Sequence, residues 1–223
     1  AKKYIDLNVI DSAKKYLDLV QKYYVENNQF VFQDLFDLSQ LYNRVGFPEI
    51  AIDMLDQIID LDIDSSETAY FYGLLYKAKL NNNIDDLMVF VDLTEDTFRK
   101  KQSYWQIIRI LKKNTDSQSL EAELYLKAVN LYDKKYKYLP ELLNSFAWRM
   151  TELGLLLPEA LEKVNIALEF GEDLKILDTK AEILWKLGLV NEALEVNRKC
   201  IQGNPEYQHY HNQKEKFLNT KSI

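Results

Sequence analysis

Cys200, His209 and His211 are the residues of this chain whose types most readily do chemistry, and they lie close together near its end. A thiol can act as a nucleophile or a redox group, and imidazoles can act as bases or metal ligands. The spacing supports neither use. Cys200 is the only cysteine, so it has no partner at redox spacing and cannot close an internal disulfide. His209 and His211 are two positions apart on an expected helix, so they point to different faces and cannot share a metal. A second candidate is Asp60-Leu61-Asp62-Ile63-Asp64, which opens like a calcium loop. Such a loop needs glycine at its sixth place and glutamate at its twelfth, where this chain has Ser65 and Phe71. An acidic turn with Ser65 or Ser66 capping the next helix accounts for the run.

Covalent catalysis needs a nucleophile, a base and a group that orients the base. With two histidines and six glycines, only pairs among the 35 acidic residues remain, and solvated helix faces account for those. No phosphate-cradling glycine loop is present. The chain therefore reads as a non-enzyme with no cofactor and no metal.

Composition bounds the rest. The chain has 223 residues, 47% apolar and 28% charged, enough to bury a core and typical of a folded protein. Few glycines and only four prolines disfavour all-β and doubly wound folds. A net charge of -7 argues against nucleic acid, whose binding draws on lysine and arginine. No apolar run approaches the roughly 20 residues that cross a bilayer. The chain opens on Ala1 without a basic-then-apolar leader and reads as a trimmed or processed product. A soluble protein of the cytoplasm or periplasm is expected.

Apolar residues recur at helical spacing almost throughout. One stripe runs through Ile10, Ala13, Leu17 and Val20, and another through Leu35, Leu38, Leu41 and Tyr42 before Gly46-Phe47-Pro48. A third runs through Ile52, Leu55, Ile58 and Ile59, and a fourth through Tyr72, Leu75 and Tyr76. A long helix is expected from Leu120 to about Tyr136. Further helices end at Gly154, Gly171 and Gly188, where glycine can supply the left-handed residue that closes a helix. Asn204-Pro205 opens a last helix that runs toward Leu218. The basic-aromatic run Lys134-Lys135-Tyr136-Lys137-Tyr138 reads as a solvated helix end.

A period underlies these helices. Gly188-Leu189-Val190-Asn191-Glu192-Ala193 and Gly46-Phe47-Pro48-Glu49-Ile50-Ala51 share one glycine-to-alanine spacing, and Gly154 to Ala160 has it with one residue added. Gly154 and Gly188 are 34 residues apart. Counted from Leu174, small or turn residues fall at Ala181, Gly188, Ala193, Cys200 and Pro205. The preceding stretch offers Ala147, Gly154, Ala160 and Ala167, and an earlier one Ser39, Gly46 and Ala51. Gly73, then Ala122 and Ala128, are fainter echoes.

On these residues the chain resembles a tetratricopeptide repeat protein, whose unit is two antiparallel helices stacked on the next pair. The resemblance implies an all-α, right-handed α-solenoid in which small residues let paired helices approach. The expected organisation is one repeat domain over 1–223. It has a capping helix over 1–30, pairs over 31–64, 65–93, 94–138, 139–172 and 173–204, and a cap over 205–223. The final helix is expected to carry Tyr207, Tyr210, Lys214 and Phe217 on one side. In this frame Cys200 takes a place that normally holds alanine and packs as a small hydrophobe.

The family's concave groove is lined by the first helix of each pair. Transferring that frame implies Gln40, Asn43, Arg44, Tyr70 and Lys77, and later Asn144, Trp148, Asp178, Glu182 and Trp185. Aromatic rings beside amides and arginine are the residue types that anchor a peptide. Trp148 and Trp185 either face that groove or pack partly against the next repeat. The lysine, asparagine and arginine set with which some members clamp acidic chaperone tails is absent, because Asp178 and Glu182 stand where the following unit would supply it. The stretch from Leu142 to Ile201 is also similar to helical repeats appended to some bacterial thioredoxin-fold proteins, although no Cys-x-x-Cys is present. The expected function is a scaffold that binds a peptide or protein partner in its groove, with homo-oligomerisation open. The alternative is a helical accessory domain of a larger redox or other enzyme.

Overall fold

The computed structural model describes residues 10–26, 32–60 and 66–219, excepting the side chain of Val25. The acidic residues Asp62 and Asp64 lie outside them. Among the described residues the fold is all-α, with twelve helices, one short 3-10 turn and no strand. The chain divides into two compact units, Ala1–Ile110 and Leu111–Ile223.

The first unit holds α1 (Ile10–Glu26), α2 (Phe32–Arg44), α3 (Pro48–Asp60), α4 (Ser66–Asn81), α5 (Asp85–Leu93) and nearly all of α6 (Thr97–Leu111). The apolar stripes of α1 to α4 meet in one core through Ala13, Leu17, Leu38, Tyr42, Leu55 and Ile58. Ser39 and Ala51 are fully buried, as residues that let α2 and α3 approach must be. Arg99 ties α6 to α4, pairing with Glu67 at 2.5 Å and donating to the Thr68 hydroxyl at 3.1 Å.

The second unit contains a 3-10 turn at Thr115–Ser117 near its start. It holds α7 (Gln118–Asn130), α8 (Leu139–Leu153), α9 (Leu157–Leu168), α10 (Leu174–Lys186), α11 (Val190–Gly203) and α12 (Gln208–Asn219). α8 shows how sequence sets a helix here. Pro140 sits in its first turn, where no amide donor is needed. Leu143, Phe146, Ala147 and Met150 bury one face at helical spacing. Full burial of Phe146 contributes about 2–3 kcal/mol. Ala147, Ala160, Ala167, Ala181, Ala193 and Cys200 are all fully buried.

Three of the four glycines expected at helix ends share one geometry; the fourth, Gly171, has a φ of 147° and lies beyond the end of α9 at Leu168. Gly46, Gly154 and Gly188 have φ of 93°, 69° and 78°. The residue after each, Phe47, Leu155 or Leu189, donates its backbone N–H to Tyr42, Met150 or Leu184 at 2.9, 3.1 and 2.9 Å. This closes the loose carbonyls of the helix end and turns the chain into the next helix. The residue added between Gly154 and Ala160 is absorbed at Leu156, which takes a left-handed φ of 48° just before α9.

Two boundaries differ from expectation. α7 stops at Asn130 rather than near Tyr136. The Asp133 carboxylate accepts from Lys135 N at 2.9 Å, and Tyr136 N donates to the Asp133 carbonyl, so local turns replace the helical ladder. Lys134 to Tyr138 are thus turn residues rather than a helix end; Tyr132 and Tyr136 pack at 4.7 Å. α12 begins at Gln208, after turn bonds from Tyr207 to Asn204 and from Tyr210 to Tyr207.

Candidate functional site

The groove residues expected from sequence lie in both units, and each unit treats its share differently. In the first unit, Gln40 and Asn43 on α2 turn toward the Tyr76 hydroxyl of α4. Gln40 Nε2, Asn43 Oδ1 and Tyr76 Oη are buried, none within hydrogen-bonding geometry of a partner among the described residues. Burial, above all, pushes the Tyr76 hydroxyl well above the usual tyrosine range. Arg44 is exposed at the end of α2. Lys77 of α4 pairs with Asp56 of α3 at 3.1 Å. Tyr70 is the open aromatic of this set, 50% exposed.

In the second unit, α12 settles the matter for α10. The Phe217 ring, fully buried, stacks on Trp185 at 5.7 Å with 22° between planes. The Lys216 ammonium sits 3.9 Å over the same indole and also pairs with Glu182. Gln213 donates to Glu182 at 3.2 Å, and Glu182 as a residue is only 8% exposed. His209 Nε2 meets Asp178 at 3.2 Å. Burial raises the Asp178 carboxyl above its ordinary range, against the opposing pull of His209 and Gln213. Asp178, Glu182 and Trp185 are therefore covered by the chain's own last helix. Asn144 and Trp148, one repeat earlier on α8, are not engaged in this way. Trp148 is 39% exposed, and its Nε1 donates to Glu152 at 3.0 Å, which fixes the ring on the helix surface.

The buried side of α12 is Tyr210, Gln213 and Phe217, with Tyr207 and Lys214 exposed. Sequence reasoning missed its polar clasp. Fully buried Asn197 of α11 donates to the Tyr210 carbonyl at 3.0 Å and to Gln213 Oε1 at 2.8 Å. It also missed Arg149 of α8, which makes two bonds at 2.7 and 2.8 Å to Glu121 of α7. The signal for both was a polar residue on the inward stripe of an amphipathic helix.

The groups that first suggested chemistry are placed apart. Cys200 is fully buried beside Leu177 and Tyr210. Burial, helped by the charge of Asp178, pushes its thiol from 9.0 up to about 12, so the nucleophilic thiolate is suppressed at neutral pH. His211 Nε2 donates to the Pro205 carbonyl at 2.7 Å, away from the His209 contact. Among the described residues no three of histidine, cysteine, aspartate and glutamate gather as a metal site. No described helix is long and apolar enough to cross a membrane.

The chain matches no protein-family model and no curated protein. Solved structures do resemble it. The Naa15/Naa10 assembly bound to HypK-THB matches with a TM-score of 0.50 at 16% identity, over 98% of this chain and 33% of that one. The TPR domain of P58(IPK) matches at 0.42 and 14%, over 97% of this chain and 62% of that one. A thermophilic TPR protein of Thermus thermophilus, TTC0263, matches at 0.40 and 14%, over 84% and 99%. The chain spans about a third of the Naa15/Naa10 chain and under two thirds of P58(IPK). What the likeness gives is the fold, an all-α array of helix pairs.

Proposed function

We propose that this protein is a non-catalytic interaction module that binds a peptide or protein segment on the first helices of its pairs. The observation that carries the reading is Trp148, a large aromatic left 39% exposed yet held in place by Glu152. A pre-oriented, half-exposed indole loses little entropy on burial and is the residue type most enriched at binding hot spots. Tyr70 offers the same kind of anchor on α4, with its ring half exposed. Asn144 in the second unit, and Arg44 and Lys77 in the first, are the polar groups that would flank the anchor of their own unit. Gln40 and Asn43 would be available only with movement of Tyr76, and Asp178, Glu182 and Trp185 only with movement of α12. No cofactor or metal enters the mechanism; the partner is a protein, not nucleic acid or membrane.

The test has two steps. Affinity capture with mass spectrometry names a binder, and calorimetry then measures it against Trp148→Ala and Tyr70→Ala. Each anchor removed should weaken binding by about 2 kcal/mol while circular dichroism stays unchanged. Unchanged affinity in both variants would overturn the assignment to these helices.

A further inference from the structure

The repeat register continues into α12. One 34-residue period after Ile176, Thr179 and Ile183 of α10 come Tyr210, Gln213 and Phe217 of α12, and all six are buried. α12 therefore takes the place of a first helix, stacked on the pair before it. The second helices keep a matching register. Leu161 and Leu168 of α9 directly follow the buried Ala160 and Ala167, as Leu194 and Ile201 of α11 follow the buried Ala193 and Cys200. Leu161 and Leu168 pack on the clusters that α10 and α11 build around Ala193 and Cys200.

One pair later the same seam is open. Leu194 and Ile201 line a valley of about 550 Å³ between α11 and α12, and Leu218 of α12, 59% exposed, borders it too. Among the described residues only these two helices line it. Arg198 and Lys214 bring two cations to its walls, against the one carboxylate of Glu195. Both cations are exposed, and neither enters a side-chain hydrogen bond or ion pair among the described residues.

These features select an occupant. Leu194 and Ile201 are two turns apart, about 10 Å, the spacing at which a helix laid in a groove sets its anchors. Such a helix would extend the contact that α11 already makes with Leu161 and Leu168. Arg198 and Lys214 fix its charge, because carboxylates over them form charge-assisted bonds while a basic helix would be repelled. The valley is not shaped for a further tightly paired helix of the array. The fully buried Ala181 lets α11 approach α10 closely, whereas the equivalent residue of α12 is the exposed Glu215. A second copy fits poorly as well, since a two-fold contact would set Arg198 and Lys214 against themselves.

We propose that the valley between α11 and α12 docks an acidic amphipathic α-helix of a partner protein. It uses neither Trp148 nor Tyr70, so it goes beyond the first-helix reading and is tested apart from it.

The test is an NMR titration of the isotope-labelled full chain with two short helical peptides that share a leucine stripe. One carries glutamates beside the stripe, the other lysines. Saturating shifts are expected at the backbone amides of Leu194, Arg198, Ile201 and Leu218 with the glutamate peptide only, and added salt should weaken them. Arg198→Glu/Lys214→Glu should lose about tenfold in affinity for the glutamate peptide and gain affinity for the lysine peptide, with circular dichroism unchanged. Equal binding of both peptides by the parent chain, or no saturable shift in the valley, would overturn the proposal. So would a dimer of the chain alone, seen by sedimentation equilibrium and dissolved in that variant, which would give the valley to a second copy. Shifts at the Trp148 indole without shifts in the valley would sink the docking site and leave the first-helix reading intact. Valley shifts, with Trp148→Ala and Tyr70→Ala leaving a captured binder's affinity unchanged, would do the reverse.

Discussion

Trp185 of α10 and Phe217 of α12 stack at 5.7 Å, and this contact joins the last helix to the face that the repeat pattern assigns to a groove. Replacing Phe217 with alanine removes a fully buried ring. It should cost about 3–4 kcal/mol in urea unfolding. Trp185 emission should move to longer wavelength as α12 loosens. A change below about 1 kcal/mol would show that α12 is not anchored there.

Arg149 meets the fully buried carboxylate of Glu121 with two bonds, linking α8 to α7. Arg149→Ala leaves that charge unpaired and should destabilise the protein by about 3 kcal/mol. Glu121→Leu/Arg149→Leu should be milder than Arg149→Ala, since it leaves no lone charge. Thermal unfolding of the variants checks the order.

Cys200 should resist iodoacetamide at about pH 8 in the native protein and react fully in urea, because burial holds the thiol protonated. Its folded value, about 12, lies above its ordinary 9.0. The unfolded chain therefore gives up this proton first as pH rises. The stability tied to the neutral thiol is fully present below pH 9 and is lost between 9 and about 12. Cys200→Ala should flatten this part of the pH profile relative to the parent, as read by unfolding midpoints.

Gly154 has a φ of 69° and no atom within 4 Å of where a Cβ would stand. Gly154→Ala should therefore cost only the backbone penalty, about 1 kcal/mol, measured as a shift in unfolding midpoint. Gly203 makes the opposite case: a Cβ there would come within 2.7 Å of Leu174. Gly203→Ala should act through packing, and Leu174→Ala should relieve it in the double variant.

Local rules carried much of this protein into its sequence. Gly46, Gly154 and Gly188 announced helix ends because a left-handed φ has a residue signature. Ala147, Ala181, Ala193 and Cys200 announced close helix contacts because only small side chains fit there, and all four are fully buried. Both are short-range or periodic constraints, so a linear sequence records them. The end of α7 was less legible, since the turn around Asp133 competes with a helix that the apolar spacing equally allows.

Which candidate residues stay open could not be read from spacing. Trp148 and Trp185 both fall on first helices, but exposure depends on what packs above each. α12 covers Trp185, Glu182 and Asp178, while Trp148 stays half open. Gln40 and Asn43 turn to Tyr76, more than thirty positions further along the chain. The sequence alone determined that the chain is built of helix pairs and which face of each is apolar. The tertiary structure decided which polar and aromatic groups on the other faces meet a neighbour, because those contacts join residues far apart in the chain and leave no periodic mark.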